Sequence, residues 1–152
     1  MAFFAAVTPR SGTRSGLQTF TLDNGSAQAE VCPDRGALVT RFSTGGDEVL
    51  YLDEATFADP AKNVRGGVPI LFPVAGPAEP GSPLKQHGFA RLLPWAAAID
   101  GETVRLTLEA SDATRPVWPF EFRIDFGVEL VGTRLELRWM VHNLDTRPMP
   151  LH

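Results

Sequence analysis

From Phe120 to Leu130 every even-numbered residue is apolar and nearly every odd-numbered one is polar. An alternation of that length predicts a β-strand with one face on a core and the other in water. Gly132-Thr133 interrupts the pattern, and Arg134 to Val141 resumes it, so the two runs read as a β-hairpin closed by a tight turn. Thr103 to Ala110 alternates in the same way just after the turn signal Asp100-Gly101. Near the start, Leu17 to Leu22, the turn pair Asn24-Gly25, and Ala27 to Cys32 predict another hairpin. Ala37 to Phe42 and Val49 to Leu52 are shorter strand candidates on either side of Gly45-Gly46. No stretch keeps a helical apolar spacing beyond about two turns, and only Asp53 to Ala58 predicts a single helical turn before Pro60. The fold class is therefore all-β, an antiparallel β-sandwich.

Composition narrows the function. The chain has 152 residues, long enough for one domain with its own core, and residues 1–152 are read as a single β-sandwich domain. With 14 basic and 18 acidic side chains, and no run of clustered Lys and Arg, it lacks the footprint of a nucleic-acid binder. Its one cysteine, Cys32, supports neither a disulfide framework nor a thiolate zinc site and reads as a small core residue. The segment Met1 to Val7 has neither the basic flank of a signal peptide nor the length of a membrane span, so a cytoplasmic protein with no membrane partner is expected. Gly 14 and Pro 13 together make about 18% of the chain, against a norm of roughly 12%.

That excess is concentrated. Residues 60–95 hold seven of the 13 prolines together with apolar Val68, Ile70, Leu71 and Phe72. A long connection inside a compact β protein is usually functional or disordered, and the apolar residues argue against disorder. The segment contains Arg65-Gly66-Gly67-Val68-Pro69, Phe72-Pro73, Gly76-Pro77, Gln86-His87-Gly88-Phe89-Ala90-Arg91 and Pro94-Trp95. Downstream stand Thr114-Arg115, Trp118-Pro119-Phe120, Asn143 and Met149-Pro150. These motifs, in this order, resemble the aldose 1-epimerase (mutarotase) family, most closely its glucose-6-phosphate 1-epimerase or hexose-6-phosphate mutarotase branch. The resemblance runs from about Leu17 to the end of the chain.

What the resemblance implies is an isomerase that interconverts α and β anomers of an aldose or a hexose 6-phosphate. A base takes the anomeric hydroxyl proton while an acid protonates the ring oxygen; the ring opens, the carbonyl turns, and closure gives the other anomer. No metal or organic cofactor is required, and the only partner implied is a sugar or sugar phosphate. Arg65, Gln86, His87 and Arg91 are the implied substrate contacts, the arginines as forked donors to sugar oxygens or phosphate. His87 is also a candidate catalytic group, since its unperturbed pKa lies near neutrality. Gly66, Gly67 and Gly88 are expected to let backbone approach the ligand. Each residue has a plainer reading as well: His87 as a hydrogen-bonded loop residue, and Arg65 and Arg91 as surface ion-pair partners. Trp95, Trp118 and Trp139 are expected in the core, with Trp118 the first candidate for stacking on a sugar because Pro119 sets it at a strand start.

The family's pattern is not matched throughout. Its members are roughly twice as long, with a His as the implied general acid shortly after the Met-Pro run and a Glu as the implied general base much later. This chain reaches Met149-Pro150-Leu151-His152, so it is expected to be an N-terminal half, with the catalytic His and Glu beyond residue 152. His152 takes the acid's place only if the intervening loop is shortened. If the 152-residue form stands alone, self-association or pairing with a second chain is expected, because an open sheet edge is normally covered. Two other classes stay open beside the enzyme: a catalytically silent carbohydrate- or sugar-phosphate-binding module, and a structural β-sandwich fragment.

Overall fold

The alternating runs form strands largely where their periodicity places them. In the computed structural model, which describes residues 6–152, the strands are β1 (Arg10–Arg14), β2 (Leu17–Asp23), β3 (Ala27–Cys32), β4 (Leu38–Thr44), β5 (Asp47–Glu48), β6 (Ala96–Asp100), β7 (Thr103–Glu109), β8 (Phe122–Val131) and β9 (Arg134–Asn143). One short helix, α1 (Glu54–Ala58), and two 3₁₀ turns, Pro33–Arg35 and Ala90–Leu92, complete the set. The reading of Met1 to Ala5 lies outside the described residues. No described helix is long and apolar enough to cross a membrane.

Two antiparallel sheets result, one five-stranded in the order β1-β2-β3-β4-β5 and one four-stranded in the order β6-β7-β8-β9. In β8 the even-numbered residues Phe122, Ile124, Phe126, Val128 and Leu130 are all buried, as the alternation requires. They meet Val104, Leu106 and Leu108 of β7 and, across the sandwich, Leu22 of β2 with Ala29 and Val31 of β3 in one continuous core. The β2–β3 turn clasps the β8–β9 turn. Asn24, almost wholly buried, donates its side-chain amide to the Gly132 carbonyl at 2.7 Å. Its side-chain oxygen accepts from Ser26 at 3.0 Å and Ala27 at 2.9 Å. Every polar atom of that side chain therefore has a partner, which is what a buried amide needs.

Three elements depart from expectation. β1 and β6 are strands that the alternation did not reveal; both are edge strands with largely exposed residues, so no apolar period marks them. The expected strand Val49 to Leu52 is replaced by the two-residue β5. Val49 and Tyr51 are exposed and have no core to face, and the Glu48 carboxylate accepts the Phe42 amide at 3.1 Å in place of a main-chain carbonyl. Leu52 makes only an isolated bridge to Gly66. The expected helical turn is present, and Asp53 caps it by accepting from the Thr56 amide at 2.9 Å. That hydrogen bond, helped by the nearby Arg65 guanidinium, holds the Asp53 carboxyl below the usual range. Cys32 is fully buried, and burial pushes its thiol up to about 11, the behaviour of an inert core residue.

Candidate active site

The Pro-rich loop is anchored through its aromatic residues. Phe72 is buried and packs edge-on against Phe89 and Trp118, with ring centroids 5.9 and 5.1 Å away. Its carbonyl accepts from the amides of Phe89 at 2.9 Å and Ala90 at 3.3 Å, which starts the second 3₁₀ turn. Gly88 lets those strands of loop approach: a β-carbon there would lie 2.0 Å from the Phe72 carbonyl oxygen. The loop glycines serve contacts within the protein: Gly66 and Gly67 press on Tyr51 and Val39 backbone in the same way. Trp118 and Trp95 both lie in the core, and Trp139 is the exposed tryptophan.

A second close approach builds the site. Gly36, at φ +71°, ends the first 3₁₀ turn, and a β-carbon on it would fall 2.4 Å from the main chain of Arg91. The Trp95 amide donates to the Pro33 carbonyl at 3.1 Å, and its indole N–H to the Ala90 carbonyl at 2.9 Å. The two 3₁₀ turns are therefore held side by side, although they are distant in sequence, and each carries an arginine: Arg35 and Arg91.

Between the turns and residues 60–64 opens a cleft of about 480 Å³. Its charged lining is Arg35, Lys62, Lys85 and Arg91 against the one carboxylate of Asp34, with Gln86 beside them. Arg35 uses one terminal nitrogen to draw in the surrounding loop, donating to the carbonyls of Thr56 (3.0 Å), Asp59 (3.2 Å) and Lys62 (2.9 Å). The Nε atoms of Arg35 and Arg91 are nonetheless buried without a partner, and they are the only such side-chain atoms among the described residues. A buried unpaired donor on a cation costs about 1–3 kcal/mol or more. Four cations against one carboxylate make the cleft chemically suited to an anionic ligand.

Of the residues singled out from sequence, Gln86 and Arg91 line this cleft. Arg65 does not, although its neighbours Asn63 and Val64 do. Its backbone ties α1 to the loop, the amide donating to Thr56 Oγ1 at 3.1 Å and the carbonyl accepting from Asp53 at 2.9 Å, while its side chain is exposed. His87 also stands off the cleft, in a left-handed conformation at φ +68° with Nδ1 2.5 Å from the Ala75 carbonyl oxygen. A carbonyl only accepts, so Nδ1 is the donor in this contact. His152 is exposed at the rim of a separate pocket of about 180 Å³ that includes Trp118 and Phe120. Its amide donates to the Pro73 carbonyl at 3.2 Å and its carbonyl accepts from Ala75 at 2.6 Å. Ala75 therefore joins both histidines to one short stretch of loop. Arg35, Lys62 and Lys85 were not expected from sequence; Lys85, next to Gln86, was the only one with a nearby motif to signal it.

The two antiparallel sheets share the galactose mutarotase-like fold, and the chain belongs to the aldose 1-epimerase family, whose pattern matches residues 18–152. Over 141 residues it is 38% identical to a Salmonella typhimurium protein named "Putative glucose-6-phosphate 1-epimerase", spanning 90% of this chain and 47% of that one. Among solved structures, Slr1438 from Synechocystis sp. PCC 6803 superposes with a TM-score of 0.80 at 34% identity, spanning 99% of this chain and 54% of the other. A galactose mutarotase-like protein from Lactobacillus casei gives a TM-score of 0.73 at 25% identity, with 88% and 47% spanned. The chain thus spans about half the length of the relatives it matches.

Proposed function

We propose that this chain forms the substrate-holding half of a mutarotase that interconverts the anomers of a hexose 6-phosphate without a cofactor. The observation that supports the reading most is the cleft lined by Arg35, Lys62, Lys85 and Arg91. A phosphate dianion satisfies such a set, because forked guanidinium donors match its oxygens and the ammonium groups add point charge. Gln86, a donor and an acceptor at once, suits a neighbouring sugar hydroxyl.

Anomer exchange then needs one proton removed from the anomeric oxygen and one delivered to the ring oxygen, with the reverse on closure. In this reading the phosphate lies in the cleft and the sugar extends past its rim, where His87, donating to Ala75 through Nδ1, offers Nε2 and the exposed Arg65 a further donor. His152 is the lesser candidate for the acid. The carboxylate base comes from beyond residue 152, in the part of the relatives that this chain does not span. A second reading has its own support: Asp34 is the one carboxylate on the cleft, which suits a silent sugar-phosphate-binding module.

Exchange NMR on equilibrated glucose 6-phosphate separates them. Saturable broadening of the sugar signals that disappears in Arg91→Ala is expected under both readings, and faster α–β exchange under the first alone, once the segment that carries the carboxylate base is present. Broadening without acceleration in that longer protein selects the binding module. Absence of any broadening at millimolar sugar phosphate removes both.

A further inference from the structure

The chain leaves α1 through a tight turn, Asp59-Pro60-Ala61-Lys62. Asp and Pro are favoured at the first two positions of such a turn, and the Lys62 amide closes it on the Asp59 carbonyl at 3.1 Å. The Asp59 carboxylate accepts from the Ala61 amide at 3.0 Å and stiffens it further. Pro60, Ala61 and Lys62 form one wall of the cationic cleft.

The last turn of a helix leaves carbonyls that no helical amide can meet, and at α1 they are met from outside by Arg35. Its bonds fall on Thr56 within the helix and on Asp59 and Lys62 at the two ends of the turn. Three acceptors on one nitrogen occupy that nitrogen fully, so what it gives a ligand is placement of the wall and not contact. Lys62 is held more loosely. Its ammonium lies 3.3 Å from the Asp59 carboxylate, and both side chains are exposed, an arrangement in which an ion pair contributes little. A phosphate dianion, with two charges against one, draws that ammonium more strongly. Every residue in these contacts and in the cleft lining lies between Asp34 and Leu92.

We infer that Arg35 is a positioning residue: by fixing the Asp59–Lys62 turn it holds the Lys62 ammonium at the cleft and thereby sets a preference for a phosphorylated over a neutral sugar. The inference rests on the reading of the cleft as a hexose-phosphate site and adds the residue that arranges it. A neutral sugar has no use for that ammonium, so its binding is indifferent to the turn.

Amide-resolved NMR titrations of this chain with glucose 6-phosphate and with glucose test this on Arg35→Met, Lys62→Met and the double variant, with dispersed spectra as the check on folding. In Arg35→Met the Lys62 amide is expected to exchange with solvent about tenfold faster, and glucose 6-phosphate affinity to fall about tenfold. Lys62→Met is expected to lose a similar factor. The double variant should fall about fivefold or more short of the product of the two losses, because Arg35 acts through Lys62. The response to glucose should stay within about twofold throughout. Arg35→Lys, whose ammonium offers three donors from one nitrogen, is expected within about threefold of wild type and carries the test if Arg35→Met unfolds. Losses that multiply in the double variant, unchanged Lys62 exchange in Arg35→Met, or an Arg35→Lys loss as deep as that of Lys62→Met overturns the inference and leaves the hexose-phosphate reading standing. A wild type that does not respond to glucose 6-phosphate overturns that reading, and the inference falls with it.

Discussion

Two groups of arginines in this molecule are built in opposite ways. On the segment joining β7 to β8 and on the residues after β9, Arg115 and Arg147 are saturated. Arg115 grips Glu121 through two nitrogens at 2.7 and 3.1 Å and Asp112 at 3.1 Å. Arg147 holds Asp145 through two nitrogens, both at 2.9 Å, donates to the Pro119 carbonyl, and lies over the Phe120 ring. In the cleft, Arg35 and Arg91 keep a buried nitrogen unmet. The first pair spends its donors on nearby carboxylates. In the second pair Arg35 ties the loop through Thr56, Asp59 and Lys62 while its Nε, like that of Arg91, stays unmet, so the two pairs differ in how far their donors are satisfied.

The largest test of that contrast is Gly36→Ala. The new β-carbon meets the Arg91 main chain and the residue must hold a left-handed φ, so a loss of roughly 2–5 kcal/mol is expected in urea unfolding. A change within experimental error would mean that the two 3₁₀ turns are not held by this contact. Next, Arg91→Ala is expected to lower glucose 6-phosphate affinity by about 10–100-fold while leaving unfolding stability unchanged or slightly raised, since it removes an unmet donor. A marked stability loss would place Arg91 with the structural group. Arg147→Ala should do the reverse, lowering Tm modestly with no effect on affinity.

The smallest effect is in pH. Arg147, through its side chain first and its amide second, holds the Asp145 carboxyl well below the usual range. A folded-state value below the unfolded one of about 3.9 means stability that is present above that pH and lost as acidification approaches the folded value. Tm should therefore fall on going from pH 5 to pH 3, and Asp145→Asn should flatten part of that slope. An unchanged slope in the variant would show that Asp145 contributes nothing to acid sensitivity.

The contrast also explains what sequence reveals. β2, β3, β7 and β8 were legible because one face of each is buried and the period shows it; β9 was legible because its residues alternate, although none of them is buried. β1 and β6 were not, because an exposed edge strand needs no apolar alternation. Gln86 and Arg91 were legible through a motif carried by contiguous residues. Arg35 was not, because it joins the cleft only through the Gly36 approach to a turn far along the chain, and a lone Arg-Gly carries no such message. The same limit applies to Arg65, whose motif is intact while its side chain stands off the cleft. Trp118 looked like the candidate for stacking because of Pro119, but the ring packs on Phe72 at 5.1 Å; Trp139, expected in the core, is 57% exposed on β9.

The Asn24 clasp has a consequence for how the chain is made. Its partner carbonyl lies 108 residues further on, so during synthesis at about 5–20 residues per second the first hairpin waits roughly 5–20 s for it. Throughout that interval Leu22, Ala29 and Val31 have no second sheet to rest on, and an amide meant for the interior is left to water. The five-stranded sheet is thus the part of the newborn chain most in need of shielding, and the β8–β9 ribbon is what ends that need.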